Sequence, residues 1–82
     1  MHVSRDRVRT LMGEVLGAQG KSLPDDDTVA LADLGFRSLD FSELVLRVED
    51  EVDDELNFDA AGLRQIRTVG DVLNLMTEIA DQ

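Results

Sequence analysis

Residues 38–52 read Ser38-Leu39-Asp40-Phe41-Ser42-Glu43-Leu44-Val45-Leu46-Arg47-Val48-Glu49-Asp50-Glu51-Val52. At about 100° per residue, Phe41, Leu44, Val45, Val48 and Val52 fall in one sector, which predicts an amphipathic helix with that sector buried. Leu39 and Leu46 point almost directly away from it, ringed by Asp40, Glu43, Arg47 and Asp50. Single surface leucines are common and need no explanation. An apolar pair set in a mostly acidic ring also has the composition of a docking face.

Just before this run the chain is Gly35-Phe36-Arg37, so Ser38 stands where a loop turns into a helix. Serine is among the favoured N-caps, worth about 1 kcal/mol over alanine. The same place has unpaired N–H groups and the positive end of the helix dipole, so an anion attached to the hydroxyl, such as a phosphodiester, would be stabilised there. Local chemistry leaves both roles open for Ser38.

Working outward, a long connection covers residues 17–37 and holds the only proline, Pro24, and the run Asp25-Asp26-Asp27. Leu23, Val29, Leu31, Leu34 and Phe36 are its expected anchors in the core, with a short helical turn near Val29 to Leu31. Before it, Ser4 is a fitting N-cap with Asp6 in the first turn. Val8, Leu11, Met12, Val15 and Leu16 then make one apolar stripe, ended by Gly17 and Gly20. On the far side, Asp53-Asp54-Glu55 closes the second helix and Leu56 and Phe58 return to the core. Asp59 is placed to cap a short turn over Ala60 to Leu63. Thr68-Val69-Gly70-Asp71 has the form of a capping box opening a last helix with the stripe Val69, Val72, Leu73, Met76 and Ala80. The expected fold is all-α: a small bundle of three main helices plus one short helix, with a long loop between helices 1 and 2.

Composition narrows the function. Eighty-two residues make one small domain with no cysteine, so neither a disulfide framework nor a thiolate metal site is expected, and a reducing, cytoplasmic setting is favoured. The N-terminal residues lack the apolar run of a secretion signal, and no stretch is long and apolar enough for a membrane span. Eighteen acidic against eight basic residues give a net charge of −10, which opposes nucleic acid and anionic lipid and favours basic protein surfaces. The only histidine is His2, so no acid–base pair of an enzyme is evident. Read as a calcium loop from Asp25, the chain puts Ala30 and Phe36 where glycine and glutamate are required, so no metal site is expected.

The stretch Leu34 to Leu46, LGFRSLDFSELVL, resembles the L-G-x-D-S-L type signature of the acyl carrier protein family, a serine followed by an acidic helix studded with apolar residues. Asp25-Asp26-Asp27-Thr28 with Leu31 to Leu34, Phe58-Asp59-Ala60, and Thr68-Val69-Gly70-Asp71-Val72 resemble further elements of that family, in order along nearly the whole chain. The resemblance implies one carrier domain over 1–82, not an enzyme. Ser38 would carry a 4′-phosphopantetheine arm, attached from coenzyme A by a phosphopantetheinyl transferase. Acyl groups would ride on it as thioesters. Arg37, Leu39, Asp40, Glu43, Leu46, Arg47 and Asp50, with Glu49 and Glu51 nearby, would form the face that docks acyltransferases, ketosynthases or other pathway enzymes bearing basic patches. A monomer is expected, and the short length favours a free-standing carrier. The family usually has aspartate before the serine, where this chain has Arg37. That points to a specialised polyketide or mixed polyketide–peptide carrier over the housekeeping fatty-acid one. The competing reading is an acidic helical adaptor in which Ser38 is only a cap.

Overall fold

The computed structural model describes residues 2–58 and 60–80, and for residues 60 and 61 the backbone alone. Asp59, the expected cap of the short turn, lies outside the described residues. The elements are α1 (Arg5–Gly17), α2 (Leu31–Leu34), α3 (Ser38–Val52), α4 (Ala60–Arg64) and α5 (Val69–Ala80). This is the expected all-α bundle of three main helices, with a second short helix in the loop. The helical turn expected at Val29 to Leu31 forms later, as α2.

The long helices take their faces from the apolar periodicity. Val8, Leu11, Met12, Val15 and Leu16 of α1 are all buried, as are Val69, Val72, Leu73, Met76 and Ala80 of α5. α1 packs on α3 and on α5, and those two touch each other, so three apolar stripes close one core. Each fully buried leucine or valine contributes roughly 1.5–3 kcal/mol from its removal from water. On α3, Leu44, Val48 and Val52 are buried, whereas Phe41 and Val45 are half-buried and pack against the core from its edge. Phe41 meets Phe58 edge-on, with ring centroids 5.6 Å apart.

The helix starts follow the capping logic. Ser4 Oγ accepts from the Arg7 N–H at 3.1 Å, and Val3 and Val8, placed as a hydrophobic staple around that cap, are both buried. At the start of α5, Thr68 Oγ1 accepts from the Asp71 N–H at 3.2 Å while Asp71 Oδ2 accepts from the Thr68 N–H at 3.0 Å.

The long loop is strapped down rather than slack. The Leu31 N–H donates to the Arg67 carbonyl at 2.9 Å, Val69 to Val29 at 3.1 Å and Gly70 to Asp27 at 2.8 Å, around an isolated antiparallel bridge between Ala30 and Thr68. This pairing has no counterpart in the sequence periodicity. The acidic run serves the same anchoring: Asp27 takes Arg5 at 2.8 Å and also pairs with Arg9, whose guanidinium donates to the Pro24 carbonyl at 2.8 Å. No helix among the described residues is long and apolar enough to cross a membrane.

Candidate functional site

Ser38 is the first residue of α3, and the N-cap is Arg37, in extended conformation with φ −109° and ψ 178°. The helix begins at Ser38 as expected, and of the two roles left open for that serine the N-cap falls instead to the residue before it. The capping is done from inside the helix: Asp40 Oδ2 accepts from the Arg37 N–H at 2.8 Å. Gln19 donates to Asp40 Oδ1 from beyond the end of α1. The Arg37 N–H bond holds the Asp40 carboxyl below the usual carboxylate range, helped by Gln19, Lys21 and Arg37 against the opposing effect of burial.

Ser38 itself is exposed, and among the described residues its hydroxyl makes no hydrogen bond. Only its carbonyl is engaged, accepting from Ser42 Oγ at 3.2 Å. The first amides of the helix, on Ser38, Leu39 and Asp40, have no acceptor among the described residues. A guanidinium has donors only, so Arg37 gives them none. The result is an open helix mouth with a free hydroxyl set in it.

The approach to that mouth is shaped by Gly35, the αL cap of α2 with φ 70°. Lys21 Nζ donates to its carbonyl at 3.0 Å, and a Cβ there would displace only the flexible tip of that lysine, so it is the left-handed conformation that favours glycine. Beside Ser38 opens a groove of about 860 Å³ between α2, α3 and the α4–α5 junction. Its walls include Leu31, Phe36, Phe41, Leu63, Ile66 and, at the rim, Arg37 and Arg67. The sequence placed Ser38 and Arg37 here; the groove and Arg67 emerge only when the α4–α5 junction folds back.

The residues expected on the docking face divide. Leu39 is 81% exposed and Leu46 62%, as expected, with Asp50 exposed as well. Glu43 and Arg47 are on that face but linked to each other at 3.4 Å, and Arg47 also reaches Glu14 at 3.1 Å, so its charge is locally neutralised. Asp40 is a correction: it is 7% exposed and serves as the cap partner described above. Glu49 and Glu51 are also taken by the fold. Glu49 accepts from the Leu56 N–H at 2.8 Å, and Glu51 holds Arg7 through two bonds of 2.9 Å. Arg7 keeps the Glu51 carboxyl below its ordinary range.

An exposed, unbonded serine at an open helix mouth invites comparison with proteins modified at such a place. Residues 6–76 match the family model described as the phosphopantetheine attachment site. Acyl carrier proteins from two strains of Caulobacter vibrioides are each 40% identical to this chain over 73 residues, covering 89% of it and 90% of their own length. The chain belongs to the acyl carrier protein family. The crystal structure of an acyl carrier protein from Thermotoga maritima matches this carrier with a TM-score of 0.70 at 27% identity, over 98% of this chain and 94% of that one. Acyl carrier proteins carry rather than catalyse, and their attachment domain holds phosphopantetheine. The α3 mouth fits that group: an accessible hydroxyl, open amides for its phosphate, a neighbouring guanidinium, and an apolar groove alongside.

Proposed function

We propose that Ser38 is the attachment point of the arm, and that the carrier presents acyl thioesters to successive enzymes of a specialised polyketide or related pathway. The observation that carries the attachment is the Ser38 hydroxyl, exposed and free of any structural bond among the described residues. On attachment from coenzyme A the Oγ loses its proton and bonds to phosphorus, the diphosphate link of coenzyme A breaks, and adenosine 3′,5′-bisphosphate leaves. The arm supplies a terminal thiol, which a chain without cysteine lacks. Once a partner has docked, the tether makes delivery intramolecular, at an effective concentration on the order of millimolar.

The test is intact mass after incubation with coenzyme A, magnesium and a promiscuous transferase. A gain of one phosphopantetheine, absent in Ser38→Ala, is expected. A mass that stays unchanged under several transferases removes the attachment and leaves the acidic adaptor reading.

The docking face reduces to Leu39 and Leu46, the two large apolar side chains that α3 exposes, with Glu43 and Asp50 as the acid around them. Acid there attracts basic patches on transferases, acyltransferases and ketosynthases, and the leucines give the desolvated contact. Leu46→Glu is expected to leave helicity and the unfolding midpoint unchanged while slowing acyl transfer to a partner severalfold. Unfolding of that variant would show the leucine to be core. The specialised pathway is supported by Arg37, which stands where the family usually has aspartate. Loading by narrow and tolerant transferases, with and without Arg37→Asp, checks it. Equal loading of both proteins by the narrow enzyme removes Arg37 as a discriminator.

A further inference from the structure

The carrier has eight basic residues against eighteen acidic ones. Most are engaged by the fold: Arg5 and Arg9 with Asp27, Arg7 with Glu51, Arg47 with Glu14 and Glu43, and Lys21 with Gln19 and the Gly35 carbonyl. Among the described residues, the side chains of Arg37, Arg64 and Arg67 have no hydrogen bond or ion pair. Arg37 and Arg67 both line the groove that contains Ser38. Arg37 belongs to the α3 mouth, and Arg67 comes from the α4–α5 junction, held there by its carbonyl bond to Leu31 and its N–H bond to Asp71. Asp40 lies near enough to feel the charge of Arg37, and Asp71 that of Arg67, yet among the described residues neither guanidinium closes an ion pair or hydrogen bond with a carboxylate. An anion lodged in that groove would be attracted by both.

We propose that Arg37 and Arg67 clamp the phosphodiester that Ser38 would carry, one from each wall, so that the arm begins its course along the groove toward Phe41, Leu63 and Ile66. This rests on Ser38 as the attachment point. The geometry favours the phosphodiester over a charged cargo tip, because that phosphate is bonded to Ser38 and so is confined to the groove that both arginines line. The flat donor fork of a guanidinium matches phosphate oxygens through paired hydrogen bonds. The clamp makes Arg37 and Arg67 positioning residues for the arm, and it gives the unacylated carrier a resting pose in which the arm lies in the groove and off the exposed leucines of α3.

The experiment compares the unloaded and loaded carrier, each verified by mass and without cargo, by NMR of the arginine side-chain Nε–H groups. Loading should shift the Arg37 and Arg67 signals and leave Arg64 in place as an internal control. The shifts should shrink when salt is raised to about 0.5 M, where charges are screened within a few ångströms. Loading should also raise the unfolding midpoint of the native carrier. In Arg67→Gln that rise should be mostly lost, while the unloaded midpoint should fall only slightly, since the Arg67 side chain makes no hydrogen bond or ion pair among the described residues and gives up only its charge attraction for Asp71. An Arg67 signal unmoved by loading, or a full rise in Arg67→Gln, overturns the clamp alone. Failure to gain mass overturns the attachment and the clamp together.

Discussion

α3 and α5 begin with the same device and end up with opposite surfaces. Each has an aspartate at its third helical position, Asp40 or Asp71, that reaches back to the N–H of the cap residue, at 2.8 Å in α3 and 3.0 Å in α5. Each carboxyl is held below the ordinary range, first by a backbone N–H, that of Arg37 for Asp40 and that of Arg67 for Asp71. At α5 the cap residue answers: Thr68 Oγ1 accepts from the Asp71 N–H, and the box is closed. At α3 the cap residue is an arginine with nothing to accept with, so the box stays half open and the hydroxyl moves one position into the helix, where the fold does not use it. One mouth is finished by its own side chains. The other is rigid but unfinished, which is the condition a modification site needs.

Variants can test how far the two mouths are alike. The largest expected changes come from removing the shared device. Asp40→Ala and Asp71→Ala should each cost about 1–3 kcal/mol in urea unfolding, because each strands backbone N–H groups. Asp40 should be the costlier, being the more buried of the two. A cost equal to surface noise at Asp40 would mean the α3 mouth is held by something else. Next comes the closing contact itself. Thr68→Ala should cost about 1 kcal/mol, while Arg37→Thr should stabilise by up to about 1 kcal/mol by giving α3 the reciprocal bond it lacks. No gain from Arg37→Thr would break the parallel.

Acid gives a smaller, graded effect. Both carboxyls titrate lower in the folded carrier than in the unfolded chain. Their contribution is therefore complete above the ordinary carboxylate range, about pH 4, and is lost as pH falls through the folded values. Urea midpoints measured downward from pH 5 should fall, and less steeply in the double Asp40→Asn, Asp71→Asn variant. The smallest effect is expected at the proposed attachment residue: Ser38→Ala should change stability by no more than about 0.5 kcal/mol, since its hydroxyl makes no hydrogen bond among the described residues.

What was legible follows from range. The stripes of α1 and α5 repeat at helical spacing, so their buried faces, their Ser4 and Thr68 caps and the outward phase of Leu39 and Leu46 could all be read locally. Val3 is buried by its staple position relative to Val8, a single residue that shows no period of its own. Asp40 could not be placed, because its burial depends on Gln19, which arrives from the end of α1. Glu49 and Glu51 looked like docking acid for the same reason: Leu56 and Arg7 claim them only in the folded chain. Phe41 and Val45 have the right phase for the core yet are half-buried, Phe41 because the groove opens beside it. The groove, Arg67 within it and the Ala30–Thr68 bridge join segments far apart in the chain, with no repeat to announce them.

That bridge ties the two mouths together. Thr68 finishes α5 and at the same time pairs with Ala30, which lines the groove beside Ser38. Substitutions at Thr68 and at the Ser38 groove should therefore not add independently, and a change that looks silent at one can be unmasked by a change at the other. For anyone retuning this carrier toward new partners, the epistasis to map first runs across those backbone bonds, not along α3.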